Sequence, residues 1–298
     1  MNTLQDSITS IGICCFKLDD IISNIFCKKI SCINYYDLDN NINNINISCV
    51  NKFTKYNNMI KFLLVKRKHS LNYIDFIRGK YDILDISPLF KMFNYMSKDE
   101  IDRIHNMSFD NMWNKLWKLT ARSKKYSNEY NRSKKKFNEI STNGTLAIIL
   151  NTCTPYETTE WEIPKGRKEP NEKNIDCAIR EFTEETSIDR DSYTILTSID
   201  PIHDNFIGTN NKNYRHIFYT AMMKSNMMKS NMMKYNDNIE YEVTSNEIEE
   251  VRWCTWEDAI ILLRPYNENK IKIITNIFLF IVNINEMNSH NEELEIFV

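Results

Sequence analysis

The stretch Trp161–Ile188, WEIPKGRKEPNEKNIDCAIREFTEETSI, contains the residues on which both the fold and the chemistry depend. Pro164 and Gly166 indicate a tight turn, and a glycine at this point lets the backbone approach a ligand closely. The apolar periodicity that follows predicts a helix. Residues at i, i+3 and i+4 are neighbours on a helix, so three carboxylates share one face of it: Glu181, Glu184 and Glu185.

These three carboxylates repel one another, and a hard divalent cation would turn the repulsion into coordination, since such ions prefer oxygen ligands. The alternative is a solvated acidic helix face, which the adjacent glutamates alone would favour. The turn glycine, Glu172 and Arg180 occur together with the cluster. That combination favours a metal site.

The whole stretch resembles the Nudix box, GX5EX7REUXEEXGU, in which U is a bulky apolar residue. Ser187 stands where the box has the glycine that ends its helix. The other fixed positions fall in register: Gly166, Glu172, Arg180, Glu181, Phe182, Glu184, Glu185 and Ile188.

The resemblance implies a role for each of these residues. Two or more Mg²⁺ or Mn²⁺ ions are expected on Glu181, Glu184 and Glu185, with the carbonyl of Lys165 or Gly166 completing a coordination shell. Arg180 is expected to hold the box together by pairing with a glutamate, for which Glu172 is the candidate. The expected reaction is metal-assisted hydrolysis of a phosphate–phosphate bond, with Glu185 or a carboxylate outside the box accepting a proton from water.

Segments outside the box narrow the resemblance. WEIPKGR is similar to the entry to the box in mRNA-decapping enzymes and in diphosphoinositol polyphosphate phosphohydrolases, and it places Lys165 beside substrate phosphates; a plain surface lysine is the alternative. NEIEEVRW resembles a decapping-family segment in which Glu247 would be a further metal ligand or base, or else a solvated acid. Most of the chain, except the Asn-rich insertion and the MMKSN repeat, resembles the Nudix decapping proteins of large cytoplasmic DNA viruses, of the African swine fever virus type. The resemblance lies in SIGICCFK, LVKRKHSL, FIRGKY, LFKMFNYMS, SFDNMWNKLW and CAIREFTEET.

The order of elements predicts an α+β fold, a Nudix α/β/α sandwich with an inserted helical subdomain. The first Nudix strands are expected in residues 1–69, with an Asn-rich insertion at about 18–58. A helical subdomain is expected at 70–140, and the rest of the Nudix domain at 141–298. Strands are predicted at Ser7–Lys17, Met59–Lys66, Gly144–Leu150, Tyr214–Ala221 and Glu249–Cys254, helices at Thr255–Leu263 and Asn269–Asn283, and a loop without a core role at the MMKSN repeat, Met222–Lys234.

The helical subdomain carries a basic stretch with interleaved aromatic residues, a composition that can follow a phosphate backbone and stack on bases. In the viral family the helical insertion binds RNA. The alternative is a basic helical hairpin with its aromatic residues in its own core. The candidate RNA-binding residues are Lys115, Lys118, Arg122, Lys124, Lys125, Arg132, Lys134, Lys135 and Lys136.

Composition adds little about partners, because the net charge of the 298 residues is only −2. Eight cysteines without a CxxC pair indicate reduced thiols, and neither a signal peptide nor a membrane span is apparent, so a cytoplasmic location is expected, the host cytoplasm if the protein is viral. The oligomeric state is left open.

The predicted function is an mRNA-decapping hydrolase that acts on capped RNA, giving m7GDP and 5′-monophosphate RNA; viral enzymes of this kind would suppress host translation. Two alternatives stay open. One is a diphosphoinositol polyphosphate or dinucleoside polyphosphate phosphohydrolase, and the other is a catalytically inactive RNA-binding Nudix protein.

Overall fold

The computed structural model describes residues 7–30, 50–117, 124–208, 212–224 and 245–286, and only the backbone at 50–53 and 124–126. The strands are β1 Ile8–Leu18, β2 Ile60–Arg67, β3 Trp161–Glu162, β4 Lys165–Arg167, β5 Tyr193–Ile195, β6 Ile202–Ile207, β7 Asn213–Met223 and β8 Ile248–Thr255. The helices are α1 Asp20–Ile30, α2 Val50–Asn57, α3 Leu71–Ile77, α4 Ile86–Asn94, α5 Lys98–Asn106, α6 Phe109–Leu116, α7 Lys124–Thr142, α8 Thr145–Thr152, α9 Asn174–Thr186, α10 Trp256–Leu262 and α11 Glu268–Glu286. None of the helices in these ranges is long and apolar enough to cross a membrane.

The chain divides into two compact units. The first, called the sheet unit, comprises Met1–Lys66 and Trp161–Val298, and the second, called the helical unit, comprises Arg67–Glu160. The helical block expected at 70–140 lies inside the helical unit, which continues to Glu160. The helical unit is therefore an insertion between β2 and β3.

An eight-stranded mixed sheet forms the centre of the sheet unit, with β3, β2, β1, β7 and β5 adjacent in that order. β1 runs parallel to β7 and antiparallel to β2 and β4. β6 pairs with β7 in antiparallel register, and β8 pairs with β2. The sheet thus combines parallel and antiparallel pairs.

Both faces of this sheet are covered, which explains why β1 is an almost continuous apolar run. Successive side chains of a strand point to opposite faces. Cys14, Phe16 and Leu18 belong to a core shared with α1, α10 and α11. The alternate residues pack into a second core with Cys177, Ala178 and Phe182 of α9, and they are Ile11, Ile13 and Cys15. The architecture is α+β with helices on both faces, as predicted.

Most predicted elements of the sheet unit are confirmed. The strands expected at Ser7–Lys17 and Met59–Lys66 correspond to β1 and β2, and the two later strands correspond to β7 and β8. The closing helices correspond to α10 and α11. These predictions were based on long apolar runs. An element that is buried on one or both of its faces has a clear pattern of apolar residues in the sequence.

Within the Asn-rich insertion expected at about 18–58, two segments, Asp20–Ile30 and Val50–Asn57, are helices that were not predicted. Ile22 and Phe26 lie one helical turn apart and are both buried. Phe26 contacts Phe280 of α11, with ring centroids 6.2 Å apart. The Asn-rich composition of the insertion made this amphipathic helix hard to recognise from the sequence. The run NNINNINIS lies outside the described residues.

The strand predicted at Gly144–Leu150 is wrong, because Thr145–Thr152 is helix α8. An apolar run of this length does not distinguish a strand from a short buried helix. Gly144 begins the helix at φ 83°, and Leu146 and Ile149, three positions apart, enter the core of the helical unit. Ile148 on the opposite side is 64% exposed, as a one-sided helix requires.

The predicted loop at Met222–Lys234 is wrong at its first two residues. Met222 and Met223 end β7 and are buried on opposite faces of the sheet. Because these two residues begin the MMKSN repeat, they were predicted to belong to a loop. The alternation of side chains along β7 nevertheless continues through both of them. The remainder of the repeat from residue 225 lies outside the described residues.

Polar caps and an aromatic core organise the helical unit. Ser97 and Glu100 form a capping box at the start of α5, with each side chain bonding the other residue's backbone. Glu100 also accepts a hydrogen bond of 2.7 Å from the backbone N–H of Ser70, so this fully buried carboxylate joins two helix starts. Phe76 and Phe93 pack edge to face behind them.

Helix α1 is predicted to contribute to the stability of the sheet unit through Phe26, which is fully buried. Phe26→Ala should lower the free energy of unfolding by about 3–5 kcal/mol, because truncation of a buried aromatic leaves a cavity. Ile21→Ala, on the same helix at 69% exposure, should change it by no more than about 0.5 kcal/mol. Urea unfolding followed by circular dichroism measures both; equal effects would contradict the placement of α1.

Candidate active site

The turn and the helix of the Nudix-like stretch lie against each other on the sheet. β4 is held by antiparallel pairing with β1, in which Gly166 lies opposite Ile11. α9 buries its apolar side, including Phe182, against the same sheet. Ser187 ends α9 in the left-handed conformation at φ 58°, so a serine occupies the geometry that the box usually gives to glycine. The acidic side of α9 is thereby directed toward β4.

The position of the Glu181 side chain requires a glycine at residue 166. A Cβ atom added at Gly166 would lie 1.9 Å from Glu181 Oε2 and 2.0 Å from its Cδ. No side chain fits at that separation. The predicted close approach of the turn is therefore an approach to a carboxylate of the acidic cluster.

Glu185 is held by the same turn. Its Oε2 accepts a hydrogen bond of 2.9 Å from the backbone N–H of Lys165, and the residue is only 8% exposed. Two adjacent residues of β4, Lys165 and Gly166, thus contact two carboxylates of α9, Glu185 and Glu181. This pairs the backbone of the turn with the two most buried members of the acidic cluster.

Arg180 neutralises part of the cluster. Its Nε and Nη2 donate to the two carboxylate oxygens of Glu172 at 2.9 and 3.0 Å, the pairing expected from the box. Nη1 donates to Glu181 Oε1 at 2.8 Å and to Glu184 Oε2 at 3.3 Å. A planar guanidinium can serve several carboxylates at once in this way.

The charges of the site shift its titration. Hydrogen bonds from Arg180 and from the backbone of Glu169 lower the pKa of Glu172 from 4.5 to about 2. The pKa of Glu181 is raised, first by burial and further by the negative charges of Glu184 and Glu247, although Arg180 opposes the shift. Glu247 therefore acts electrostatically on Glu181.

The donor set suits an oxygen-preferring cation. Glu181 has neighbours of the same charge and is partly desolvated, so a cation would relieve both costs. In the described part of the chain, however, no three His, Cys, Asp or Glu side chains converge in a metal-holding arrangement. The carboxylate oxygens are bonded instead to Arg180 and to the turn. A cation bound at this site would share these carboxylates with Arg180 and the turn.

The side chain of Lys165 extends to the other face of the sheet. Its ammonium forms an ion pair with Glu162, and Nζ of Lys270 on α11 lies 3.6 Å from the same carboxylate. All three side chains are at most 11% exposed. Lys165 thus donates from its backbone to the acidic cluster and from its side chain to a group of polar residues beneath α11.

Asp204 and His216 continue this polar group. His216 Nδ1 lies 3.4 Å from Asp204 Oδ2, and Asn269 Nδ2 donates to Asp204 Oδ1 at 2.7 Å. Burial lowers the pKa of His216, and the positive charges of Lys165 and Lys270 add to this effect. Sequence reasoning missed Glu162, Lys270, Asp204 and His216; a charged residue inside an apolar strand or helix was the available signal.

The predicted RNA-binding residues fall into several groups. Lys118 and Arg122 lie outside the described residues, and Lys124 and Lys125 are described only as backbone of α7. Lys134 pairs with Asp110 at 2.7 Å, and Lys136 donates to the carbonyls of Gly79 and Tyr81 at 2.9 and 2.5 Å. The exposed candidates with described side chains are Lys115, Arg132 and Lys135.

The aromatic residues of the basic stretch pack into the core of the helical unit. Trp113 is buried, and Trp117 lies 4.3 Å from it, centroid to centroid. Tyr130 and Phe137 pack against the same cluster. These rings have the position of core residues.

The model of the NUDIX domain matches residues 142–277, which include the entire acidic cluster and Glu247. A protein of Acanthamoeba polyphaga mimivirus, provisionally described as an mRNA-decapping protein, is 34% identical over 76% of this chain and 67% of its own length. An African swine fever virus protein, described as mRNA-decapping protein g5R, is 33% identical over 76% of this chain and 91% of its own. The chain therefore belongs to the Nudix family, and within it to the viral mRNA-decapping proteins.

Among solved structures, the C. elegans Ap4A hydrolase covers 92% of this chain and 99% of its own at 12% identity. The TM-score is 0.37, which is too low for this likeness to bear on substrate or fold.

Gly166→Ala is predicted to lower activity strongly while the protein stays folded. The new Cβ would meet only the end of the Glu181 side chain, which can swing aside. Displacing that carboxylate by about 1 Å or more should lower kcat roughly 100-fold, as misplaced groups do. Lys168→Ala, at an exposed position of the same loop, is the control. Hydrolysis rates with a circular dichroism check measure the effect; an active Gly166→Ala enzyme would contradict this role.

A second prediction concerns the acid stability of the Arg180–Glu172 pair. Since the folded-state pKa of Glu172 is lowered from 4.5 to about 2, its ionised form stabilises the protein above 4.5, and this contribution is lost as the pH falls toward 2. The stability difference between the parent and Glu172→Gln should therefore shrink across that interval. Glu169→Gln, at an exposed neighbouring position, is the control. A difference independent of pH in urea unfolding would argue against the pair.

Proposed function

We propose that this protein removes the 5′ cap of mRNA, hydrolysing the triphosphate bridge to release m7GDP and a 5′-monophosphate RNA. The observation that carries the proposal is the acidic cluster held against the Lys165–Gly166 turn, in a chain that belongs to the viral mRNA-decapping proteins. Capped RNA would be the substrate, and the host cytoplasm the place of action, with loss of host translation as the consequence.

Nudix hydrolases use divalent metal ions, and the oxygen donors of the cluster fit Mg²⁺ or Mn²⁺. The proposed ligands are Glu181, Glu184 and Glu185, with the carbonyl of Gly166, for two or more ions. When bound, such ions neutralise pyrophosphate oxygens and lower the pKa of a water molecule. The side chain of Lys165 would contact a substrate phosphate after leaving its ion pair with Glu162.

Proton transfer is assigned to Glu185. Its carboxylate is almost buried and is oriented by the Lys165 backbone, which would place it to accept a proton from the attacking water. Glu247 is the alternative base, and its electrostatic coupling to Glu181 supports a place beside the same site. Arg180 would keep the glutamates ionised and aligned between turnovers.

RNA binding is proposed for the exposed basic residues of the helical unit. Arg132 and Lys135 lie three residues apart on α7 and therefore on neighbouring positions of one helix face. Lys115 projects from α6. Because Lys134 and Lys136 already bond to Asp110 and to backbone carbonyls, they are assigned to the stability of the unit before phosphate binding.

The central test is product analysis. Purified protein with Mn²⁺ should release m7GDP from cap-labelled RNA, and Glu185→Gln should reduce the rate roughly 10²–10⁴-fold, the usual loss when a general base is removed. Glutamine can still accept the hydrogen bond from Lys165, so the fold should persist. Glu257→Gln, on an exposed position of α10, is the matched control. A protein that cleaves dinucleoside or diphosphoinositol polyphosphates but leaves capped RNA intact would sink the proposal.

The RNA contribution has its own test. Changing Lys115, Arg132 and Lys135 together to Gln should weaken capped-RNA binding and flatten its salt dependence by about 0.7 in the log–log slope for each phosphate that is no longer neutralised. Lys136→Gln should instead lower the melting temperature and leave the slope unchanged, since its ammonium holds backbone carbonyls. Hydrolysis of the cap dinucleotide m7GpppG should be unaffected in the triple variant. An unaltered salt slope there would contradict the assignment.

A further inference from the structure

A group of basic side chains lies at the start of the helical unit, where the segment before α3 contacts α5. Nη1 of Arg103 on α5 lies 3.2 Å from Nδ1 of His69. Lys68, the preceding residue, is exposed, and His69 and Arg103 are half-buried. These three residues are called the Arg103 cluster. None of them was among the basic residues that the sequence suggested for RNA binding.

The guanidinium of Arg103 is held in one orientation by its neighbours. It lies over the ring of Tyr73, with Cζ 5.4 Å from the ring centroid, and Tyr73 is itself buried. Nε donates to the backbone carbonyl of Asp99 at 3.2 Å. A guanidinium has several N–H donors in a fixed plane, so these contacts orient the group and leave donors for a ligand.

His69 is a neutral hydrogen-bond donor in this arrangement. Because a guanidinium only donates hydrogen bonds, Nδ1 of His69 accepts from Arg103, and the ring proton is on Nε2. Burial lowers the pKa of His69 to about 4, and the positive charges of Arg103, Lys68 and Arg67 add to this effect. The Arg103 cluster therefore combines two cations with one neutral N–H donor.

No carboxylate neutralises the Arg103 cluster within the part of the chain that the structure describes. Neither Lys68 nor Arg103 forms an ion pair there. Asp99, one turn before Arg103, contributes its backbone carbonyl, and the buried carboxylate of Glu100 accepts from two backbone N–H groups instead. Positive charge concentrated without a counter-ion attracts an anion, and an oriented guanidinium suits the oxygens of a phosphate.

We propose that Lys68, His69 and Arg103 bind a phosphate of the RNA backbone. The inference rests on the proposed decapping function, in which capped RNA is the substrate. The oxygens of one phosphate can accept hydrogen bonds from an ammonium, an imidazole N–H and a guanidinium together. Since Tyr73 is buried and cannot stack on a base, the site would bind RNA without regard to its sequence. It is distinct from the basic residues proposed above on α6 and α7.

Binding of uncapped single-stranded RNA, followed by fluorescence anisotropy over a range of salt concentrations, tests the site without turnover. Lys68→Gln and Arg103→Gln should each flatten the log–log salt slope by about 0.7, the change expected when one phosphate is no longer neutralised. Arg103→Lys should keep the slope of the parent but bind more weakly, because the charge remains and the planar fork is lost. Lys91→Gln, at an exposed position of α4, is the matched control and should bind like the parent.

The imidazole of His69 gives a second readout at the site itself. A bound phosphate would offset the charges of Arg103, Lys68 and Arg67, so the pKa of His69 should rise above its value of about 4 when RNA is added. NMR titration measures this pKa, and a His69→Asn protein identifies the signal. A cluster with only a structural role would keep the same pKa with and without RNA.

The site would be overturned by a parent-like salt slope in Lys68→Gln, by an equal loss in Lys91→Gln, or by an unchanged pKa of His69. Because Lys68 is exposed, its variant tests the site even if Arg103→Gln is less stable. Decapping is assayed separately on the same preparations. A protein that binds RNA through the Arg103 cluster but releases no m7GDP from capped RNA would overturn the proposed function alone. A protein that decaps RNA while the Lys68 variant binds like the parent would overturn the site alone.

Discussion

The contact between the β4 turn and α9 is the constraint on which the site depends. Gly166 has no side chain because the Glu181 carboxylate occupies the space where one would lie. The next contact, from the Lys165 N–H to Glu185, fixes the helix along its axis. Two short contacts therefore set the register between an acidic helix and the sheet. The burial of Phe182 and Ala178 on the other side of α9 holds that register, since any rotation would expose them.

Assembling carboxylates at such a contact costs free energy, and Arg180 is the local compensation. It bonds to Glu172, Glu181 and Glu184, so one guanidinium offsets charges that would otherwise repel. The pKa values of two glutamates that Arg180 contacts, Glu172 and Glu181, are shifted in opposite directions. Glu172 is held firmly ionised, whereas burial and like charge raise the pKa of Glu181. The strained end is the one beside the turn, where a divalent ion would relieve it.

How much of this was accessible from the sequence depends on how local each feature is. The turn glycine, the acidic face and the Arg180–Glu172 pair come from one contiguous stretch, so their spacing alone predicts them. The strands β1 and β7 follow from long apolar runs. In contrast, Glu162, Asp204 and Lys270 meet only through the topology of the sheet and α11. No spacing in the sequence connects residues so far apart.

Predictions from short apolar runs and from counts of basic residues failed for a related reason. Thr145–Thr152 has the composition of a strand, but its environment is a helical core that accepts a one-sided helix. Lys134 and Lys136 count as basic residues in the sequence, yet one neutralises Asp110 and the other holds the carbonyls that follow α3. A lysine is available to a phosphate only if its present partners can be replaced without loss, which composition does not specify.

Lys165 also has a partner that must be replaced before its ammonium can bind a phosphate, but here a replacement is at hand. Its ammonium also has a partner, Glu162, but Lys270 lies 3.6 Å from that same carboxylate. When a substrate phosphate draws Lys165 away, Glu162 therefore keeps a cation, and no buried charge is left unpaired. Lys136 has no such substitute, because backbone carbonyls would lose their donor. A second lysine behind the first makes the exchange of partners inexpensive at Lys165, which supports the proposed role of that residue as a phosphate ligand.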